Sequence, residues 1–113
     1  MSQITTHVLN TTLGQPAFNV SISLSWQTGD GWEMLAQGKT NHDGRIQDLL
    51  DPDQVLAEGT YRMHFDTQSY FEQQGITAFY PYVDIVFCIR GNGEHYHIPL
   101  LLTAHSYTTY RGS

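Results

Sequence analysis

His95 and His97 stand two residues apart in the stretch Glu94-His95-Tyr96-His97-Ile98. In an extended chain residues i and i+2 share a face, so the two imidazoles project together. Such a pair has two chemical uses. It can share a metal ion, which then needs a third ligand that the sequence does not name. It can also handle protons, one ring acting as base while the second orients it or polarises a carbonyl. Solvated strand histidines that do neither are the plain structural alternative. His7 adds a further imidazole on the strand face opposite Ile4, Thr6 and Val8, directed away from whatever those residues bury. His42 and His64 read as structural, one in a turn and one on the solvent face of a strand. Cys88, the one cysteine, sits in the apolar run Val86-Phe87-Cys88-Ile89 and reads as a small buried hydrophobe rather than a nucleophile. No pattern encodes a nucleophilic serine, a phosphate-cradling loop or a zinc-protease helix.

Strands must carry these side chains, because alternation with period two dominates the chain. Val20, Ile22, Leu24 and Trp26 alternate with Ser21, Ser23 and Ser25, which predicts a strand with those four residues on its buried face. Tyr61, Met63 and Phe65 form another apolar face, as do Val83, Ile85, Phe87 and Ile89. Tyr96, Ile98, Leu100 and Leu102 form a further one, with His95 and His97 opposite. Residues 3–10 and 32–40 read as strands with less contrast, and 104–111 suit a last strand by propensity. Turn signals separate these runs at Gly29-Asp30-Gly31, Asn41-His42-Asp43-Gly44, Asp51-Pro52-Asp53, Glu58-Gly59 and Gly91-Asn92-Gly93. Residues 68–74 lack alternation and predict a short helix with Gly75 as its C-terminal stop. Short strands at regular spacing with one helical interruption predict an all-β sandwich in a single domain over 1–113.

Composition narrows the partners. The formal charge of -6 disfavours nucleic acid and anionic membranes, which demand clustered positive charge. A chain of 113 residues buries only one thin core, so association between copies is a natural way to add burial. A lone cysteine allows no intrachain disulfide, and no basic-then-apolar leader is seen, so the expected compartment is the cytoplasm, or the periplasm if an export sequence has been removed.

Three segments, agreeing in order and spacing over the whole chain, carry a family resemblance. They are Thr6-His7-Val8-Leu9-Asn10 followed by Gly14-Gln15-Pro16-Ala17; Asp43-Gly44-Arg45; and Tyr96-His97-Ile98-Pro99-Leu100-Leu101-Leu102 running on to Tyr110-Arg111-Gly112-Ser113. A Tyr-Phe pair at Tyr70-Phe71 opens the predicted helix. In these features the chain resembles the 5-hydroxyisourate hydrolase branch of the transthyretin-like family. The resemblance implies a prealbumin-like sandwich of eight strands and one short helix, assembled as a homotetramer with active sites at the subunit interface. It implies that His7, Arg45 and His97 are catalytic and that Tyr110, Ser113, His95 and Arg111 contact substrate. Two departures stand out: Asn10 where Asp is common, and Tyr82 where an acidic residue is common.

The implied reaction, a step of urate catabolism, is hydrolysis of one ring C–N bond of 5-hydroxyisourate, with no cofactor and no metal. Water must lose a proton as it attacks, the oxyanion must be stabilised, and the leaving nitrogen must be protonated. A neutral histidine can take the proton. His97 and His7 both qualify. Arg45 offers a planar fork of donors for an oxyanion or a urea-like edge. The set gathers Arg45, Arg111, His7, His95 and His97 in an acidic protein, a positive cleft suited to an electron-rich heterocycle. Two other readings stand beside it. A non-catalytic transthyretin-like carrier of small ligands would favour apolar side chains at positions 7, 97 and 110. An immunoglobulin-like adhesion or sugar-binding sandwich would favour paired cysteines and functional loops at one end.

Overall fold

The computed structural model describes residues 2–112, so Ser113 lies outside the described residues. Nine strand segments and one helix occur among them, in the order β1 (Ile4–Asn10), β2 (Gln15–Pro16), β3 (Ser21–Thr28), β4 (Gly31–Lys39), β5 (Arg45–Ile46), β6 (Gly59–Phe65), α1 (Thr67–Glu72), β7 (Val83–Ile89), β8 (Tyr96–Leu102) and β9 (Tyr107–Thr109). One sheet runs β2-β1-β8-β9, with β5 also paired to β1; the other runs β4-β3-β6-β7. The β1–β8 pair is parallel, and it sets Thr5 opposite His97 and His7 opposite Pro99. No helix among the described residues is long and apolar enough to cross a membrane.

Alternation makes the sandwich. Ile4, Val8, Tyr96, Ile98, Leu100 and Leu102 project inward from one sheet, and Ile22, Leu24, Tyr61, Met63, Phe65, Val83 and Ile89 from the other. Burying a side chain of this size stabilises by roughly 1.5–3 kcal/mol relative to exposure. Thr6 and Asn10 share the inward face of β1 and are satisfied there: the Thr6 hydroxyl donates to the Ile98 carbonyl, and the Asn10 amide donates to the Tyr70 hydroxyl at 3.0 Å. A neutral amide at position 10 therefore suits a buried site in which a carboxylate would be desolvated.

The predicted two-sheet sandwich with one helix is what the chain forms, and its segments number nine because β2 and β5 are pairings of two residues each. The helix is Thr67–Glu72, capped by Asp66, whose carboxylate accepts from the Ser69 N–H. It ends at Glu72 with Gln73 as its C-cap, shorter than the predicted 68–74. Gly75 at φ 72° closes the turn that follows, with Ile76 N–H donating to the Phe71 carbonyl.

Two expectations fail locally. Trp26 is 37% exposed while Ser25 is buried. The pairing of β3 with β6 stays regular, with Trp26 opposite the buried Tyr61, so Trp26 keeps the inward face but is left partly uncovered there. The register shift between Leu24 and Ser25 is taken up by one extra residue, Leu35, on β4. Cys88 is exposed, because β7 is an edge strand and position 88 falls on its outer face with Asp84 and Val86. An apolar run on an edge strand does not bury both faces.

Candidate active site

Arg45 is brought to His7 by the turn before it. The Asn41 side-chain oxygen accepts from the backbone N–H of Asp43 at 2.9 Å and of Arg45 at 3.0 Å. Gly44 sits at φ 74°, and a Cβ there would run into the Val8 carbonyl oxygen. Its own carbonyl accepts from the Val8 N–H at 2.7 Å. Only glycine allows the turn to lie this close to β1. The chain leaves the turn antiparallel to β1, with Arg45 directly opposite His7. Asp43-Gly44-Arg45 is thus a device for setting a guanidinium beside an imidazole.

His97 reaches the same face from β8. Residues 5, 7 and 9 of β1 and 97, 99 and 101 of β8 alternate with the core residues and face outward. Thr5, opposite His97, is the residue that joins the histidines. Its Oγ1 lies 2.8 Å from His97 Nδ1 and 3.0 Å from His95 Nε2. The two rings are near-parallel, with centroids 6.5 Å apart and planes at 20°. Thr5 is 7% exposed, while His95 is open to solvent and His97 is partly covered.

The local field favours neutral imidazoles. Burial holds His97 below its ordinary value of 6.5, and the positive charges of Arg45, His95 and His7 push in the same direction. His7 is also lowered, first by burial and then by Arg45, against a hydrogen bond to the Asp43 backbone and the Asp43 charge, which both raise it. Arg45, His7, His95 and His97 thus form one electrostatic cluster. Among the described residues no three His, Cys, Asp or Glu side chains gather as metal ligands, and the ring nitrogens that His95 and His97 turn toward each other are occupied by the Thr5 hydroxyl.

The tail returns to this place by main-chain bonding. The Gly112 N–H donates to the His97 carbonyl at 2.9 Å, and the two residues form an antiparallel bridge. A Cβ at position 112 would press on the His97 ring, so glycine permits the approach. Arg111 lines one cavity with His97 and Tyr110, but its guanidinium is engaged elsewhere. It bonds Glu94 at 3.0 Å and lies 4.8 Å over the Tyr96 ring. The Glu94 carboxyl is held below its usual range, first by that bond and then by the Tyr96 hydroxyl. Tyr110 is 59% exposed and, with Ile85, Phe87, Tyr96 and His97, lines a cavity of about 320 Å³ between β7 and β8. A separate hollow of about 540 Å³ on the outer face of the β4-β3-β6-β7 sheet holds His64, with Asp84 2.6 Å from its Nδ1, and none of the predicted site residues. Tyr82 packs on that same His64 ring, 5.0 Å between centroids, and so belongs to the sheet away from the cluster.

The HIUase/Transthyretin family description matches residues 4–112. The chain belongs to that family. It is 46% identical to a mouse protein named 5-hydroxyisourate hydrolase, over 99% of this chain and 96% of the mouse one. A 5-hydroxyisourate hydrolase of Salmonella dublin is 41% identical over 97% of this chain and 80% of its own length. Among solved structures, the Klebsiella pneumoniae 5-hydroxyisourate hydrolase superposes with a TM-score of 0.86 at 34% identity, covering 97% of this chain and 98% of that one. A sea bream transthyretin in complex with thyroxine superposes with 0.91 at 35% identity, covering 98% and 95%. The family therefore spans both kinds of protein on one backbone, and side chains must tell them apart.

Thr5 is the residue that sequence reasoning missed. Its signal was present as a polar residue two before His7, on the same outward face, but its place between two histidines some ninety residues on depends on the β1–β8 register. The influence of Asp43 on His7 was likewise invisible in the sequence.

Proposed function

We propose that this chain hydrolyses 5-hydroxyisourate, opening its ring to 2-oxo-4-hydroxy-4-carboxy-5-ureidoimidazoline, on the outward face of β1, β5 and β8. The observation that carries this reading is the gathering of His7, Arg45 and His97 on one sheet face from three separate strands. The relatives named 5-hydroxyisourate hydrolase at 41–46% identity support it. A carrier of apolar ligands has no use for two partly desolvated imidazoles facing an arginine.

In the reading proposed here, His97 Nδ1 is taken by Thr5 and Nε2 is the nitrogen available for chemistry. A water gives its proton to Nε2 as its oxygen bonds to the ring carbonyl carbon. The oxyanion forms against the Arg45 fork, whose donors need no reorganisation. His7, beside Arg45 and Asp43, orients the water or the ring. The C–N bond then breaks and the leaving nitrogen takes the proton back from Nε2. Tyr110 walls the pocket and Ser113, outside the described residues, is proposed as a substrate contact, while Arg111 acts through Glu94 and Tyr96 to hold the tail in register. Among the described residues β7 and β9 are sheet edges. An aromatic row, Phe79, Tyr80 and Tyr107, lies beside them with centroids 4.9 and 5.2 Å apart. Both features favour a homotetramer that closes the sites between subunits, which light scattering on the purified protein tests.

The direct experiment follows the absorbance of freshly generated 5-hydroxyisourate. The protein is expected to accelerate its decay over the spontaneous rate, with and without a chelator. Activity lost to chelator and regained with zinc would overturn the metal-free chemistry, and no acceleration would overturn the reading as a whole.

Arg45→Lys is expected to lower kcat/KM by roughly tenfold or more, because lysine keeps the charge but loses the planar fork. Normal kinetics in that variant would reduce Arg45 to a source of positive field.

The pH profile follows from the shifts. A base held below 6.5 stays neutral and competent to a lower pH than a free imidazole, so the acid limb of kcat/KM is expected to fall below pH 6.5. A limb centred at or above 6.5 would contradict the field described for His97 and His7.

A further inference from the structure

A hydroxyl carries one proton, and the Thr5 hydroxyl touches two ring nitrogens. It can donate to one of them and must accept from the other. The protonation of the two rings is therefore linked. If His97 presents Nδ1–H to the Thr5 oxygen, the Thr5 proton goes to His95, whose Nε2 must be bare; both rings are then Nδ1–H tautomers. If His97 Nδ1 is bare, Thr5 donates to it and accepts from His95 Nε2–H; both rings are then Nε2–H tautomers. Like forms are compatible with the geometry and unlike forms are not. Which nitrogen of an imidazole is protonated is set by the partner at its other nitrogen. Only the first state leaves a lone pair at His97 Nε2, as a base requires.

We propose that Thr5 is a positioning residue that couples His95 and His97 into one proton-transfer unit, holding both rings as Nδ1–H tautomers and linking a partly covered base to a solvent-exposed ring. The inference rests on the hydrolase reading of the same face. The step balances without any further reactant. When Nε2 of His97 gains the proton of the attacking water, its Nδ1 proton passes to Thr5 Oγ1 and the Thr5 proton passes to His95 Nε2. The positive charge moves from beside Arg45 and His7 to a ring in contact with water, where it is better solvated. His97 is then neutral with a proton at Nε2. As that proton goes to the leaving nitrogen, His95 returns its Nε2 proton to Thr5, and Thr5 returns one to His97 Nδ1. His95 stores the proton between the two halves of the reaction. Thr5 is 7% exposed, so little water competes for its hydroxyl.

The experiment uses the full-length protein with ¹⁵N-labelled histidine and no ligand. Two-bond ¹H–¹⁵N correlations are recorded at a pH where both imidazoles are neutral. His95 and His97 are expected to show the Nδ1–H pattern together in the unaltered protein and in Thr5→Ser. In Thr5→Val, which keeps the shape and removes the hydroxyl, the shared pattern is expected to be lost. Kinetically, Thr5→Val should lower kcat by about tenfold or more, part of the roughly 10²–10⁴-fold attributable to base catalysis, with KM little changed. Thr5→Ser should restore most of it. His95→Gln, which can accept from Thr5 but cannot hold a proton, should lower kcat and spare KM. A His95 that contacts substrate directly would instead raise KM. Unlike tautomers on the two rings, or a Thr5→Val enzyme with unaltered kcat, would overturn the coupling and leave the hydrolase reading standing. A protein with no turnover of 5-hydroxyisourate would overturn that reading and the proton path with it, while the spectra would still report the hydroxyl bridge.

Discussion

Replacing His97 by asparagine is expected to lower the turnover of 5-hydroxyisourate by roughly 10²–10⁴-fold, the usual cost of losing a general base. The fold should survive. His97 is on the outward face of β8, and the core beneath it is built by Tyr96 and Ile98, which the change does not touch. Asparagine can still offer a polar group to Thr5, so the buried hydroxyl is not stranded. Thermal unfolding and the kinetic assay on the same preparation separate the two effects. A variant with near-normal turnover and an unchanged melting temperature would exclude His97 as the base. The same substitution at His7 would then decide whether the second imidazole of the cluster carries the proton.

Removing Arg111 to Ser113 is expected to reduce turnover strongly while stability changes little. Exposure argues otherwise, because Arg111 lies open to solvent and a glycine follows it, and such residues are ordinarily dispensable. The contacts give the reason for a specific effect. Gly112 is bonded to the main chain of His97 and lies against its ring. Arg111 ties the tail to Glu94 and Tyr96. Deletion uncovers one side of the proposed base and releases Tyr110 from its place beside the cavity. The stability at stake is small: one main-chain hydrogen bond, worth about 0.5–1.5 kcal/mol net, and an exposed ion pair screened by solvent. Size-exclusion chromatography, thermal unfolding and kinetics on one sample decide. A fully active truncated protein refutes the role of the tail. One that dissociates shows a structural role instead.

The carrier and the hydrolase readings meet at a simple physical contrast. Thyroxine-complexed sea bream transthyretin and Klebsiella pneumoniae 5-hydroxyisourate hydrolase both superpose on this backbone with TM-scores above 0.85. Backbone geometry is set by the inward residues of β1, β3, β6 and β8, which do not touch the outward face. Function on this fold is a matter of what alternates with the core, and here the residues proposed for it are Thr5, His7 and His97, with Arg45 on the neighbouring strand.

Much of this was legible in the chain itself. Period-two alternation announced the long strands, since each buries one face, and it already set His95, His97 and His7 opposite their neighbouring core residues. Gly75 announced the turn that follows the helix, because its positive φ is a glycine conformation, although the helix itself stops at Glu72. The family resemblance supplied Arg45 and the tail as site residues, which no periodicity could do. What alternation could not announce was any pairing. The strands β2 and β5 are too short to have a period, and the exposure of Trp26 and Cys88 was missed because how far a strand face is covered depends on what packs over it. The sequence by itself determined which residues face out from each strand, because that depends only on local backbone geometry. Only the tertiary structure decided which of them meet. The parallel register of β1 on β8 put Thr5 between His95 and His97, the close approach of Gly44 to Val8 put Arg45 against His7, and the bridge from Gly112 laid the tail along His97 while Arg111 turned to Glu94. Each of these is a contact between segments far apart in the chain, fixed by how two sheets close over one core.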